Sequence, residues 1–64
     1  SGVMAFRREM DGLRRLVLIS LEDSEQTLAL DELLGAKLEA GQAETDGTRV
    51  MLPPYAYAIF TLKG

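Results

Sequence analysis

The stretch that decides the fold runs Val3-Met4-Ala5-Phe6-Arg7-Arg8-Glu9-Met10-Asp11-Gly12-Leu13-Arg14-Arg15-Leu16-Val17-Leu18-Ile19-Ser20-Leu21-Glu22. Two segments rich in apolar and β-favouring residues flank Asp11-Gly12. That dipeptide tolerates the positive φ angles of a type I′ turn and is a strong short hairpin signal. A strand is therefore expected over Val3 to Glu9 and a second over Leu13 to Glu22. If Asp11 and Gly12 are the whole turn, Met10 faces Leu13, Phe6 faces Val17 and Met4 faces Ile19. One face then carries Met4, Phe6, Val17 and Ile19, and the other carries Val3, Ala5, Leu16 and Leu18. The same register sets Glu9 opposite Arg14, a favourable pair, and Arg8 opposite Arg15, an unfavourable one. The run Leu16-Val17-Leu18-Ile19 is apolar without alternation, which suits a central strand covered on both sides.

Outward from this hairpin, Glu22 to Glu25 is a polar turn and Gln26 to Leu30 a third strand. Asp31 can cap one helical turn that Gly35 ends. Ala36 to Ala40 reads as a strand, with more helix as the alternative. Gly41 to Gly47 reads as a polar loop. Thr48 to Leu52 is a strand stopped by Pro53-Pro54, which cannot donate to a ladder. Tyr55 to Leu62 is the last strand. Short strands at this spacing predict an all-β fold, a small antiparallel β-sandwich, Greek-key-like, with five to six short strands. Residues 3–64 are expected to form one domain. Ser1-Gly2, in place of an initiating Met, is expected to be a scar left on an excised piece.

Composition narrows the chemistry. The 64 residues include no Cys and no His, so thiol and imidazole catalysis, disulfides and zinc sites of the common types are excluded. No metal and no cofactor site is expected. The absence of Cys fits a cytoplasmic setting. The net charge is −3, which argues against nucleic acid as a partner. No apolar run approaches the ~20 residues of a membrane span. A domain this small buries a modest share of its surface, so its stability rests on apolar packing or on a larger partner.

Three sets of side chains merit a functional reading. Tyr55 and Tyr57, two apart on the last strand, share a face there. They could form a sugar-stacking platform, or a corner Tyr packed under Pro53-Pro54 beside a half-buried neighbour. Glu22, Asp23 and Glu25 read as a solvated acidic turn, since neither glycosidase nor EF-hand spacing is present. Arg7, Arg8, Arg14 and Arg15 could meet phosphate or an acidic partner. The plainer reading has them blunting an exposed hairpin and pairing with Glu9 and nearby acids. Met4, Met10 and Met51 read as core filler.

The pattern as a whole resembles the C-terminal β-sandwich domain of the α-amylase superfamily of glycoside hydrolases and transglycosidases. The likeness lies in Val3 to Glu9 followed by Leu16 to Asp23, in Leu33-Leu34-Gly35, and in the closing Val50 to Leu62 with its Pro53, Pro54 and Tyr55 corner. Ser20 departs from the Asn of that pattern. The resemblance implies a non-catalytic accessory domain in carbohydrate metabolism, packed against the (β/α)8 barrel of an enzyme acting on α-glucosides, with no catalytic residue of its own. The alternatives are a carbohydrate-binding module that holds α-glucan through Tyr55 and Tyr57, and a stand-alone protein-interaction domain that self-associates through its second apolar face.

Overall fold

A computed structural model describes residues 2–63. Ser1 lies outside the described residues, and the carbonyl of Gly2 accepts a hydrogen bond from Leu21 N–H at 2.7 Å. The architecture is two antiparallel sheets, an all-β sandwich. Its strands are β1 (Val3–Met10), β2 (Leu13–Ser20), β3 (Gln26–Ala29), β4 (Lys37–Gly41), β5 (Glu44–Asp46), β6 (Arg49–Leu52) and β7 (Tyr57–Thr61). One sheet has the order β1-β2-β7-β4 and the other β3-β6-β5. Constant-type immunoglobulin domains also divide four strands against three. Here the seventh strand stands beside β2 and the fifth beside β6, the reverse of that arrangement.

The hairpin register is the one the turn dictates. Asp11 and Gly12 sit at φ 55° and 80°, the two positive angles of a type I′ turn. Every pairing from Val3↔Ser20 to Met10↔Leu13 follows, including Phe6↔Val17, Glu9↔Arg14 and Arg8↔Arg15. β2 lies between β1 and β7, as its unbroken apolar run requires. Cover on its two faces is unequal. Leu16 and Leu18 are 0% exposed and meet the second sheet, whereas Val17 and Ile19 are only partly buried.

The core joins Leu16 and Leu18 of β2, Ala58 and Phe60 of β7, and Val50 and Leu52 of β6. Period-two alternation places each pair on one inner face. Leu33 closes the core from a short 3₁₀ turn, Asp31–Leu33. Asp31 is the first residue of that turn and does not cap it; Leu30 holds the cap position without a side-chain bond. Ser20 is the one buried polar residue among those described, and its Oγ accepts from Glu22 N–H at 3.3 Å. That contact bends the chain out of β2 as Ser/Thr turns do.

Several expectations are corrected. There are seven strands, because Glu44–Asp46, read as polar loop, pairs with β6 through Glu44↔Met51, Thr45↔Val50 and Asp46↔Arg49. A three-residue edge strand with all side chains exposed carries no apolar alternation to betray it. The strand expected over Ala36 to Ala40 forms as β4, Lys37–Gly41, with Gly41 at φ 91°. A Cβ at Gly41 would run into the carbonyl oxygen of Tyr57, so close strand approach requires glycine there. Tyr55 is not in the last strand. It lies in a turn closed by Ala56 N–H on Pro53 carbonyl at 3.1 Å, with its own φ at 55°. The methionines do not fill the core: Met4 is 43% and Met10 63% exposed, and Met51 is partly buried.

An ion pair ties β1 to the 3₁₀ turn. Arg7 Nε donates to Glu32 Oε1 at 2.8 Å and to Oε2 at 2.9 Å, and its Nη2 also meets Oε1. Arg7 therefore pairs with Glu32 rather than with Glu9. The hydrogen bond from Arg7 holds the Glu32 carboxyl below its ordinary pKa and raises the Arg7 guanidinium's. Because the folded carboxyl has the lower pKa, the pair's stabilisation is present above the unfolded value near ~4.3. It is lost as pH falls through the folded value. Exposure keeps the effect small.

Three outcomes follow for the 64-residue chain in urea unfolding. Leu18→Ala should cost about 2–5 kcal/mol, much of the roughly 3–10 kcal/mol open to a chain this long. Phe6→Ala, on the outer face, should cost about 1 kcal/mol or less. Glu32→Gln should unfold slightly more easily than the parent at pH 7, and the gap should close as the pH drops below about 4. A gap that stays constant down to pH 2 would show that the Arg7–Glu32 pair does not contribute.

Candidate functional site

The two sheets present outer faces of opposite character. On the β3-β6-β5 sheet the outward side chains are Thr27, Ala29, Glu44, Asp46, Arg49 and Met51, a mainly polar surface over a shallow hollow of about 300 Å³. On the β1-β2-β7-β4 sheet, the register stacks side chains into rows across three strands. Met4, Ile19 and Tyr57 form the first row, and Phe6, Val17 and Ile59 the second. Arg8, Arg15 and Thr61 form the third, and Met10 and Leu13 follow at the hairpin tip. Phe6 is 45% exposed, and Val17, Ile19 and Ile59 are only partly covered. Continuous exposed apolar patches mark interaction surfaces.

Beside the apolar rows lies a hollow of about 500 Å³, lined by Arg8, Arg15, Met10, Asp11, Leu13, Val17 and Ile59. Arg8 and Arg15 stand opposite each other in the ladder. Among the described residues the one ion pair is Arg7–Glu32. Neither Asp11 nor Glu39, whose Oε2 accepts from Thr61 Oγ1 at 2.8 Å, pairs with Arg8 or Arg15. The sequence set these two arginines opposite one another. It did not show that they share a face with Ile59, because the β2–β7 register has no local signal.

Tyr55 and Tyr57 are 68% and 52% exposed. Only Tyr57 is on a strand, at the start of β7 facing outward beside Ile19. Tyr55 is held in the turn, its N–H donating to Glu22 carbonyl at 3.0 Å. The shared-strand geometry expected of them does not form. Its backbone lies in the left-handed region, which a bulky residue rarely adopts. Glu22, Asp23 and Glu25 belong to the β2–β3 connection, and no group of three acidic residues that could hold a metal occurs among the described residues. No helix is long and apolar enough to cross a membrane.

A family model described as D-apionate lactonase, C-terminal immunoglobulin-like domain, matches residues 1–60. No curated protein and no solved structure shows significant similarity to the chain. The family match overturns the likeness to the α-amylase superfamily, and with it the glycoside hydrolase assignment. The accessory role on an α-glucoside enzyme and the (β/α)8 barrel as partner fall too. So do the α-glucan-binding module and the self-associating domain offered as alternatives, neither of which the family favours. The physical reason is that the matching features report sandwich geometry rather than descent. A hairpin, a central apolar strand and a proline corner before the last strand are what a small two-sheet fold requires on any lineage. This chain belongs to the family of C-terminal immunoglobulin-like domains of D-apionate lactonase.

Proposed function

We propose that this chain is a non-catalytic module of an enzyme that opens the lactone of D-apionate, with residues 3–64 as its single folded unit. The observation that carries this is the family match over residues 1–60. Lactone opening needs a nucleophile or activated water, a base and a group to hold the oxyanion. The chain offers no His or Cys. Its buried polar side chain, Ser20, spends its Oγ on the Glu22 backbone and faces the core rather than a cleft. The module's contribution in this reading is structural: it supports the part of the enzyme that carries the chemistry. A cytosolic setting, in keeping with the lack of Cys, is part of the same proposal.

The test is lactone hydrolysis followed by proton release. The 64-residue chain should not accelerate opening of the D-apionate lactone above buffer, and the whole encoded polypeptide should. Turnover by the 64 residues alone would sink the non-catalytic reading. A whole polypeptide inert toward this lactone would sink the substrate.

Contact of Tyr55 and Tyr57 with a carbohydrate is a separate and narrower proposal, supported by the exposure of both rings. In a ¹⁵N–¹H titration with a sugar acid, it requires saturable amide shifts at both residues. An unperturbed spectrum of the folded chain retires it.

A further inference from the structure

We infer that the outer face of the β1-β2-β7-β4 sheet is the surface through which this module docks onto the lactone-opening part of the same polypeptide. We infer further that the docked surface is apolar and presents a carboxylate to Arg8 and Arg15. The inference rests on the lactonase reading for the identity of the partner. It rests on the surface itself for the place and chemistry of contact.

Three observations carry it. The first is the contrast between the two sheets. Both outer faces come from the same short chain, yet one presents Thr27, Glu44, Asp46 and Arg49 around the apolar Ala29 and Met51, and the other presents Met4, Phe6, Val17, Ile19, Tyr57 and Ile59 beside the row of Arg8, Arg15 and Thr61. A strand pair facing water on one side alternates apolar-in with polar-out. β6 keeps to this more nearly than β2, where Val17 and Ile19 are apolar on the outer side as well. The second is charge. The domain carries a net −3, but Arg8 and Arg15 face each other with no acid in ion-pair contact among the described residues. Like charges directly opposite are destabilising in a ladder. A carboxylate arriving from outside relieves that repulsion and gains a charge-assisted hydrogen bond.

The third observation is size, which selects the occupant. The eight-residue β1 and β2 with the five-residue β7 and β4, at ~3.4 Å per residue and ~4.8 Å between strands, make the face roughly 400 Å². Interfaces between domains of one chain bury about 600–1,500 Å² in total, roughly 300–750 Å² a side. Stable complexes of separate chains bury about 800 Å² a side. The face thus suits a tethered neighbour, whose association is helped by high effective concentration. It is small for a second copy binding from solution.

The experiment uses the whole encoded polypeptide, with Phe6→Cys or Thr27→Cys introduced into a module that has no cysteine of its own. Each variant is treated with a maleimide, and the labelled peptide is followed by mass. Thr27 is exposed on the polar sheet and serves as the reference. The expected result is that Phe6→Cys reacts at least ten-fold more slowly than Thr27→Cys. Adding Arg15→Glu should raise the Phe6→Cys rate several-fold, while adding Arg49→Glu should leave it unchanged. Equal rates at positions 6 and 27 would overturn the docking face. Equal effects of the two charge reversals would overturn the carboxylate contact. Slow labelling that disappears on ten-fold dilution would assign the face to a second copy and likewise overturn the proposal. Hydrolysis of the D-apionate lactone is measured on the same sample. Its absence with position 6 protected counts against the substrate and leaves the docking face standing.

Discussion

The structure depends on the pairing of β2 with β7. β2 is locked to β1 by the two-residue turn, but that hairpin alone has no core. Only when Leu16 meets Phe60 and Leu18 meets Ala58 across the β2–β7 ladder does a continuous inner face exist for Val50 and Leu52 to cover. The two strands are some forty residues apart in the chain. The pairing is reinforced at both ends, by Ser20 N–H on Ala56 carbonyl and by Leu62 N–H on Arg14 carbonyl, each at 2.8 Å. With no cysteine to form a disulfide, this non-local ladder does much to hold so short a polypeptide together.

That ladder also creates the surface on which the functional reading turns. By fixing Ile59 beside Val17 and Tyr57 beside Ile19, it widens the apolar stripe of the hairpin into a face three strands across. It sets Thr61 beside Arg15, so that the basic row borders the apolar rows. The second sheet, built from shorter strands, leaves β1 largely uncovered, and most of that strand is exposed on both sides. The Arg7–Glu32 pair spans part of this opening from the 3₁₀ turn. One side of the module is thus finished toward water and the other is apolar and open.

The likeness to the α-amylase superfamily has a physical origin. It describes a small sandwich whose central strand is apolar on two faces. The turn, the apolar run and the proline corner identify that kind of module without identifying the enzyme it serves, because packing constrains residue class and leaves residue identity free. The same degeneracy explains the methionines. Met4 and Met10 are apolar and occur in strands, which suits a core, but the register puts them on the outer face.

By itself the sequence determined the class of fold, the β1–β2 register, and the central place of Leu16 to Ile19. Those follow from local chemistry: two residues able to adopt positive φ, and an apolar run that water disfavours on either side. The sequence also set Arg8 opposite Arg15. Only the tertiary structure decided the strand β5, the release of Tyr55 from the last strand into a left-handed turn, and the partnership of Arg7 with Glu32. It alone brought Ile59, Val17 and Phe6 into one row. Each of these depends on which distant strand lies alongside. That choice is made by the sum of buried contacts over the whole core, which no single stretch of the chain contains.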